Sequence, residues 1–392
     1  MDPLLNPFRP GAGARPPELA GRQGEIDALD LIVAKSRRDQ NDGGLVLYGL
    51  RGVGKTVLLN RLRHDVERAD WLTVQLEARP GEVGAQASRQ SLARGLSMAA
   101  RGMSRFRHAA ASVLDAISTV ATFSFTVAGV SMNLGAPPSE HRANSGVLEV
   151  DLEEMVADLA EPLRKNRSAL AIFVDEMQDL DEELLTALLS VQHRATQADW
   201  PFYLIGAGLP TLKRIMAESR SYTERFTMRQ IGPLEREDAI AAVLKPAMDL
   251  GVEFTPDALD AIVDEAQGYP FFLQSYGKAV WDLASSARID LETAQAGIAE
   301  GNADLDQSFF PARWDRTTRA EKQYLRALAE VGPASASTSA IAAHLGVATT
   351  SLSSVRHALI DKGIIYAESR GTVGFTVPNM ETFILRSTGA EE

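Results

Sequence analysis

Gly49-Leu50-Arg51-Gly52-Val53-Gly54-Lys55-Thr56 follows the spacing G-x-x-x-x-G-K-[ST]. Glycines at those places let a loop curl until its backbone N–H groups face one phosphate. The lysine ammonium then reaches the β- and γ-phosphates, and the threonine hydroxyl is placed for a Mg²⁺ ion. From Val57 the pattern is helical, and the N-terminus of such a helix adds its dipole to the same anion. A second constellation stands about 120 residues further on. Ala169-Leu170-Ala171-Ile172-Phe173-Val174 is an apolar run that ends in Asp175-Glu176. An aspartate there would hold the metal shell, and the glutamate would orient or deprotonate an attacking water. The acids that follow, Asp179, Asp181, Glu182 and Glu183, read as caps and charge partners for the next helix. No Asn-Lys-x-Asp guanine-reading element occurs, so the expected ligands are ATP and Mg²⁺.

These residues need a parallel sheet to position them. Residues 45–48 form a short apolar run of buried-strand type, ending at the glycine loop. Residues 71–76, 169–174 and 202–205 read as three more strands, with helical patterns at 24–36 and 57–68. Strands alternating with helices argue for an α/β core covered on both faces. Residues 81–145 interrupt this alternation as an insertion. Its first half carries a seam stepping by three and four: Leu92, Leu96, Ala99, Met103, Phe106, Ala110, Val113 and Ile117. Its second half runs from Ala116 to Ser139 without a charge, which raises the question of a membrane span. Phe123, Phe125 and Val127 alternate with Ser124 and Thr126, however, and Val130, Met132 and Leu134 with Ser131 and Asn133. Period two means a pair of strands.

Composition closes other routes. The 392 residues contain no cysteine, which excludes disulfides, thiolate metal sites and a cysteine nucleophile. The six histidines form no i, i+4 pair. The net charge of −12 means that any nucleic-acid contact must come from a local patch. The first residues show no apolar stretch of signal-peptide type, so the expected location is cytoplasmic, with no membrane partner.

The expected domains are an arm at 1–17, a core at 18–232, a helical lid at 233–312 and a C-terminal domain at 313–392. The arm holds five prolines and reads as flexible or extended. Beyond Pro233 the strand signals stop. A helix from 234 is broken before Pro246, Thr255-Pro256 starts another and Gly268 stops it. The C-terminal domain shows helices at 320–330, 339–345 and 350–362. A hairpin about Ser369-Arg370-Gly371 follows. Three helices and a hairpin make a winged helix-turn-helix.

Taken together, the two motifs and the three-part layout resemble the AAA+/STAND group of P-loop ATPases, in particular the archaeal origin-recognition type, over residues 18–386. The resemblance implies ATP hydrolysis with Lys55 and Glu176 as catalytic groups, and Thr56 and Asp175 at the metal. Gly49, Gly52, Val53, Gly54 and Val57 would line the phosphates. It also implies nucleotide contacts from Arg22, in Gly21-Arg22, and from Pro270, in Gly268-Tyr269-Pro270. Arg225 stands where the family often places an arginine finger that acts on a neighbouring subunit, with Arg220 as runner-up; a homo-oligomer would follow. Two departures point to a slow switch over a motor. Gly206-Ala207-Gly208-Leu209-Pro210 lacks the polar side chain of the family's sensor 1, and no arginine occupies the sensor 2 place.

For partners, the winged helix invites duplex DNA. Ser351, Ser353, Ser354, Arg356 and His357 are its outward set. Seven bases and seven acids from residue 317 onward leave the domain neutral, so a protein partner is the alternative. In the insertion Arg89, Arg94, Arg101, Arg105 and Arg107 stand in a stretch with no acid, a second candidate surface for an anion.

Overall fold

The computed structural model of the chain describes residues 1–11, 13, 16–102, 124–127, 130–133, 145–219, 224–332, 335–369 and 371–388. It divides into two compact units: Gly21–Gly49 with Gly54–Ile231, and Met1–Ala20 with Leu50–Val53 and Gly232–Glu392.

The first unit is built on a parallel sheet of strands β1 (Gly44–Tyr48), β2 (Leu72–Glu77), β5 (Leu170–Asp175), β6 (Phe202–Gly208) and β7 (Phe226–Gln230). Their order across the sheet is β2-β5-β6-β1-β7. The three central strands are buried along nearly their whole length. That is why they read as unbroken apolar runs. The edge strand β2 alternates buried and open positions instead. On the opposite edge, β7 was not anticipated. Of its five residues only Phe226 is buried, so its composition carries almost no strand signal.

Helices Gln23–Ser36, Lys55–Arg68, Gly81–Gly102, Leu148–Lys165 and Glu182–Gln197 accompany the sheet. The start of the expected insertion is itself part of the core. Leu92, Leu96 and Ala99 join one apolar cluster with Val74, Leu76, Met155 and Leu159. A Cβ at Gly95 would lie 2.4 Å from Val74, so helix and strand pack directly. The rest of the seam, from Met103 to Ile117, and Arg105 and Arg107 lie outside the described residues. The expected strand pair is present as β3 (Ser124–Val127) and β4 (Val130–Asn133), antiparallel with Val127 opposite Val130. No helix among the described residues is long and apolar enough to cross a membrane.

The second unit is mainly helical. Arg236–Met248, Pro256–Ala266, Pro270–Leu283 and Leu291–Asp304 make up the lid. Pro246 lies inside the first of these and does not end it. Two short strands, β8 (Glu253–Phe254) and β9 (Arg288–Ile289), pair in parallel between the helices. Among its described residues the arm contains a short 3-10 helix, Pro3–Leu5, and it is held. Asn6 donates to the Asp282 carboxylate at 2.8 Å, and buried Phe8 meets Trp281 edge to face.

A π-turn, Leu305–Phe309, leads into Pro311–Trp314 and then helices Arg319–Val331, Thr338–Leu345 and Ser353–Asp361. Strands β10 (Ser335–Ser337), β11 (Ile365–Ser369) and β12 (Thr372–Phe375) form an antiparallel sheet in the order β10-β12-β11. This is a winged helix-turn-helix, closed by helix Met380–Thr388. The boundary expected at 312 is no break in packing. Phe310 stacks on Phe383 at 5.2 Å, and lid and winged helix share one apolar cluster.

Candidate nucleotide site

The glycine loop leaves β1 and enters helix Lys55–Arg68. Gly52 and Gly54 adopt φ of +82° and +91°, a region that a side chain would strain. Gly49 is tied to β6 by donating its N–H to the Gly208 carbonyl at 3.1 Å. Val53 is fully buried and anchors the loop. Lys55, Thr56 and Val57 form the first turn of the helix. Lys55 is buried to 7% exposure, an unusual place for an ammonium unless an anion or carboxylate is near.

The carboxylate is Asp175, the last residue of β5. Burial pushes its carboxyl above the usual aspartate range. The hydrogen bond from Thr56 and the Lys55 charge oppose that, while Glu176 adds to it. Thr56 and Asp175 are thus joined directly, although β6 lies between β5 and β1, the strand that leads into the loop. The pairing fits a Mg²⁺ site, since hydroxyl and carboxylate are hard oxygen donors and Mg²⁺ takes its remaining ligands from phosphate and water. Among the described residues no group of three or more His, Cys, Asp or Glu is placed to hold a metal by itself.

Glu176 follows in a left-handed conformation, φ 49° and ψ 43°. A non-glycine residue there carries strain of roughly 1–3 kcal/mol, the kind found where a side chain must be aimed. Its own N–H donates to Asp175 Oδ1 at 3.0 Å. The next turn, Met177–Asp179, supplies a residue that the sequence reading passed over. Gln178 donates from Nε2 to Glu176 Oε2 at 2.8 Å and accepts at Oε1 from the Leu209 N–H at 2.9 Å. Only its position two residues after the glutamate could have flagged it.

The other expected residues fall elsewhere. Arg22 is buried at the start of helix Gln23–Ser36, within the first unit. Pro270 opens its helix in the second unit. There the adjacent Phe271 N–H donates to the Gly52 carbonyl at 3.3 Å. Arg225 is exposed just before β7. Phe226 pairs with Gly44 at the N-terminal end of β1, whereas the phosphate loop leaves the C-terminal end. Five residues of strand separate the two ends, on the order of 16 Å. Arg225 therefore does not reach its own chain's phosphate loop. Arg220 lies outside the described residues. The acids after Glu176 act largely as expected: Asp181 caps helix Glu182–Gln197 by accepting from Leu184. Asp181 and Glu183 also hold Arg89, whose side chain is only 12% exposed. One of the five insertion arginines is therefore an internal ion pair.

Residues 18–205 match the AAA ATPase domain family, and residues 307–384 match a family described as a domain of unknown function, DUF8462. No curated protein matches the chain. Among solved structures, a Walker-type ATPase of Pyrococcus abyssi is similar at 16% identity with a TM-score of 0.61, over 97% of this chain and 99% of that one. The RuvB Holliday junction branch migration motor of Thermotoga maritima is similar at 18% identity and a TM-score of 0.45, over 93% and 96%. The Aeropyrum pernix Orc1 protein, solved in complex with DNA, is similar at 16% identity and a TM-score of 0.44, over 96% and 95%. Residues 18–205 thus carry an AAA ATPase domain, on a P-loop fold of the kind that the two motifs implied.

Proposed function

We propose that the protein is an ATP-binding switch of the AAA+/STAND type that hydrolyses ATP slowly. The observation that carries this reading is the Thr56–Asp175 hydrogen bond, with buried Lys55 beside it and Glu176 aimed from the next position. Gly49, Gly52, Val53, Gly54 and Val57 frame the phosphates, Lys55 neutralises their charge, and Glu176 orients the attacking water. A Mg²⁺ ion held by Thr56 and Asp175 would neutralise charge that develops on the phosphate oxygens. Arg22 and Pro270 are proposed as further nucleotide contacts. Slow turnover is supported by the lack of an arginine at the place where the resembled family carries its sensor 2. Arg225 is proposed to act on a neighbouring subunit, because its place in the sheet excludes its own site.

The test pairs two variants. Lys55→Ala should lose ATP binding, and Glu176→Gln should keep binding and lose turnover. Full ATP affinity in Lys55→Ala would remove the nucleotide assignment.

For the winged helix, the structure supplies an observation that favours a protein partner over duplex DNA. Of its seven bases, Lys362 is paired with Glu321, Arg326 with Glu330 and Arg386 with Asp306, Lys322 lies over the Trp314 ring, and Arg319 is exposed. Arg356 is half-buried, and Arg370 lies outside the described residues. On the outer face Ser351, Ser353, Ser354 and His357 remain exposed, a weakly charged surface. Anisotropy of a labelled duplex with ATP and Mg²⁺, titrated across salt, separates the two partners. Tight binding with a steep salt slope would establish phosphate contacts and refute the protein-partner reading.

A further inference from the structure

The end of β6 and the turn after β5 fit together in a way that explains the missing polar residue. A Cβ at Gly208 would stand 2.5 Å from Gln178 Oε1, and a Cβ at Gly206 would stand 2.3 Å from Met177 Sδ. The space a side chain of β6 would need is already filled by the turn Met177–Asp179. What fills it beside Gly208 is a carboxamide with both ends engaged. Its oxygen accepts from the Leu209 N–H at 2.9 Å, which fixes the amide's orientation. The NH₂ is thereby left facing Glu176, to whose Oε2 it donates at 2.8 Å. The glycines of β6 and the glutamine of the turn are two halves of one arrangement.

We infer that Gln178 is a positioning residue for ATP hydrolysis: anchored to the end of β6 through Leu209, it holds the Glu176 carboxylate in the orientation that acts on water. The polar group absent from β6 is supplied from the turn after β5. Glu176 is then fixed twice, by its left-handed backbone and by the amide, so its carboxylate does not have to be ordered at the moment of reaction. Gln178 touches neither phosphate nor water in this role; it acts through Glu176. The inference rests on the reading of Glu176 as the catalytic carboxylate.

Two variants divide the two ends of the amide. Gln178→Glu retains an oxygen for the Leu209 N–H and removes the donor to Glu176. Gln178→Ala removes both. With the full chain, kcat, the KM for ATP, the dissociation constant of a fluorescent ADP analogue and the melting temperature are measured for each. Glu176→Gln serves as the turnover blank. The expected result for Gln178→Glu is a kcat lower by about 10–100-fold, the range for loss of an outer-sphere partner. KM, nucleotide affinity and melting temperature stay near the parent values. Gln178→Ala should lose kcat at least as strongly. A merely structural role predicts the opposite split: Gln178→Glu with parental kcat, and Gln178→Ala with a lowered melting temperature. Turnover that depends on Glu176 but is unchanged in both Gln178 variants overturns the inference alone. A parent protein with no turnover above the Glu176→Gln blank overturns the catalytic reading and the inference with it.

Discussion

Removing the ammonium of Lys362 should destabilise the C-terminal unit by an amount the structure allows to be bounded. Lys362 caps helix Ser353–Asp361, the one that would face a partner. Its Nζ donates to both oxygens of Glu321, at 2.9 and 2.6 Å, and to the Arg316 carbonyl at 3.0 Å. Glu321 is nearly sealed, with its side chain 5% exposed against 29% for Lys362. It also belongs to the capping box of helix Arg319–Val331, accepting from the Thr318 N–H at 2.6 Å. At that separation and an effective dielectric near 20, the gross attraction is about 6 kcal/mol. Breaking a buried pair by deleting one partner costs about 3–5 kcal/mol. Water at the Lys362 end and the surviving Thr318 bond reduce this, so Lys362→Met should cost about 2–3 kcal/mol. For a unit of this size that is roughly 5–10 °C in melting temperature at pH 7. The double variant Glu321→Gln/Lys362→Met should recover part of the loss, because glutamine keeps the capping acceptor without a buried charge. The pH dependence has a definite sign. Burial pushes the Glu321 carboxyl up, but the bonds from Lys362 and Thr318 outweigh it and hold it below the ordinary value. A depressed carboxyl contributes stability above its unfolded pKa, about 4.3, and loses it as pH falls through the folded value. The gap between parent and Lys362→Met should therefore narrow below about pH 4. Melting curves at pH 7 and pH 3 decide the matter. A Lys362→Met protein that melts with the parent at pH 7, or a gap of equal size at both pH values, would refute the reasoning.

Other perturbations follow from the same geometry. Gly54→Ala places a side chain at φ +91° in the phosphate loop, so ATP affinity should fall at least 10-fold while the sheet still folds, read by titration beside far-ultraviolet circular dichroism. Gly277→Ala would bring a Cβ within 2.7 Å of the Phe8 ring, so the arm should detach and residues 1–20 become open to limited proteolysis; an unchanged digestion pattern would contradict the packing. Arg225→Ala should leave ATP affinity of the dilute protein unchanged and lower turnover only at concentrations where the protein self-associates. Asp181→Asn weakens both the Arg89 ion pair and the cap of helix Glu182–Gln197, and should cost about 1–2 kcal/mol in thermal stability with little effect on nucleotide affinity.

What the sequence made legible shares one property: it is written in consecutive residues. The phosphate loop is eight adjacent positions whose glycines have a backbone reason to be there. The Asp175-Glu176 pair ends a strand buried on both faces, which leaves an unbroken apolar run, and its place about 120 residues after the phosphate loop is what makes that run a signal. Likewise the helices of the winged domain show caps that hold in the structure, with Gly346 and Gly363 at positive φ just past their ends. Less visible was what depends on exposure. Strand β7 pairs along one edge only and shows water mostly polar side chains, so Thr227, Arg229 and Gln230 give no strand pattern. The arm's five prolines suggest a flexible or extended segment, while what holds it, the burial of Phe8 and the hydrogen bond of Asn6 to Asp282, lies in contacts with residues some 270 positions away.

Gln178 stayed hidden for a stricter reason. Its meaning depends on the register between two strands that are far apart in sequence and adjacent in the sheet. Phe173 pairs with Ile205 and Val174 with Gly206, so the turn after β5 comes to rest over the last glycines of β6. Slip that register by one residue and the side chains of β6 exchange faces, leaving no pocket for the amide. Read alone, Gly206-Ala207-Gly208 is an absence, a strand end with nothing polar on it. Read against the neighbouring turn, the same residues are room kept for a side chain from elsewhere. An absent motif residue in a single sequence therefore argues for a lost function only after the neighbouring strand ends have been searched for a group that reaches the same place.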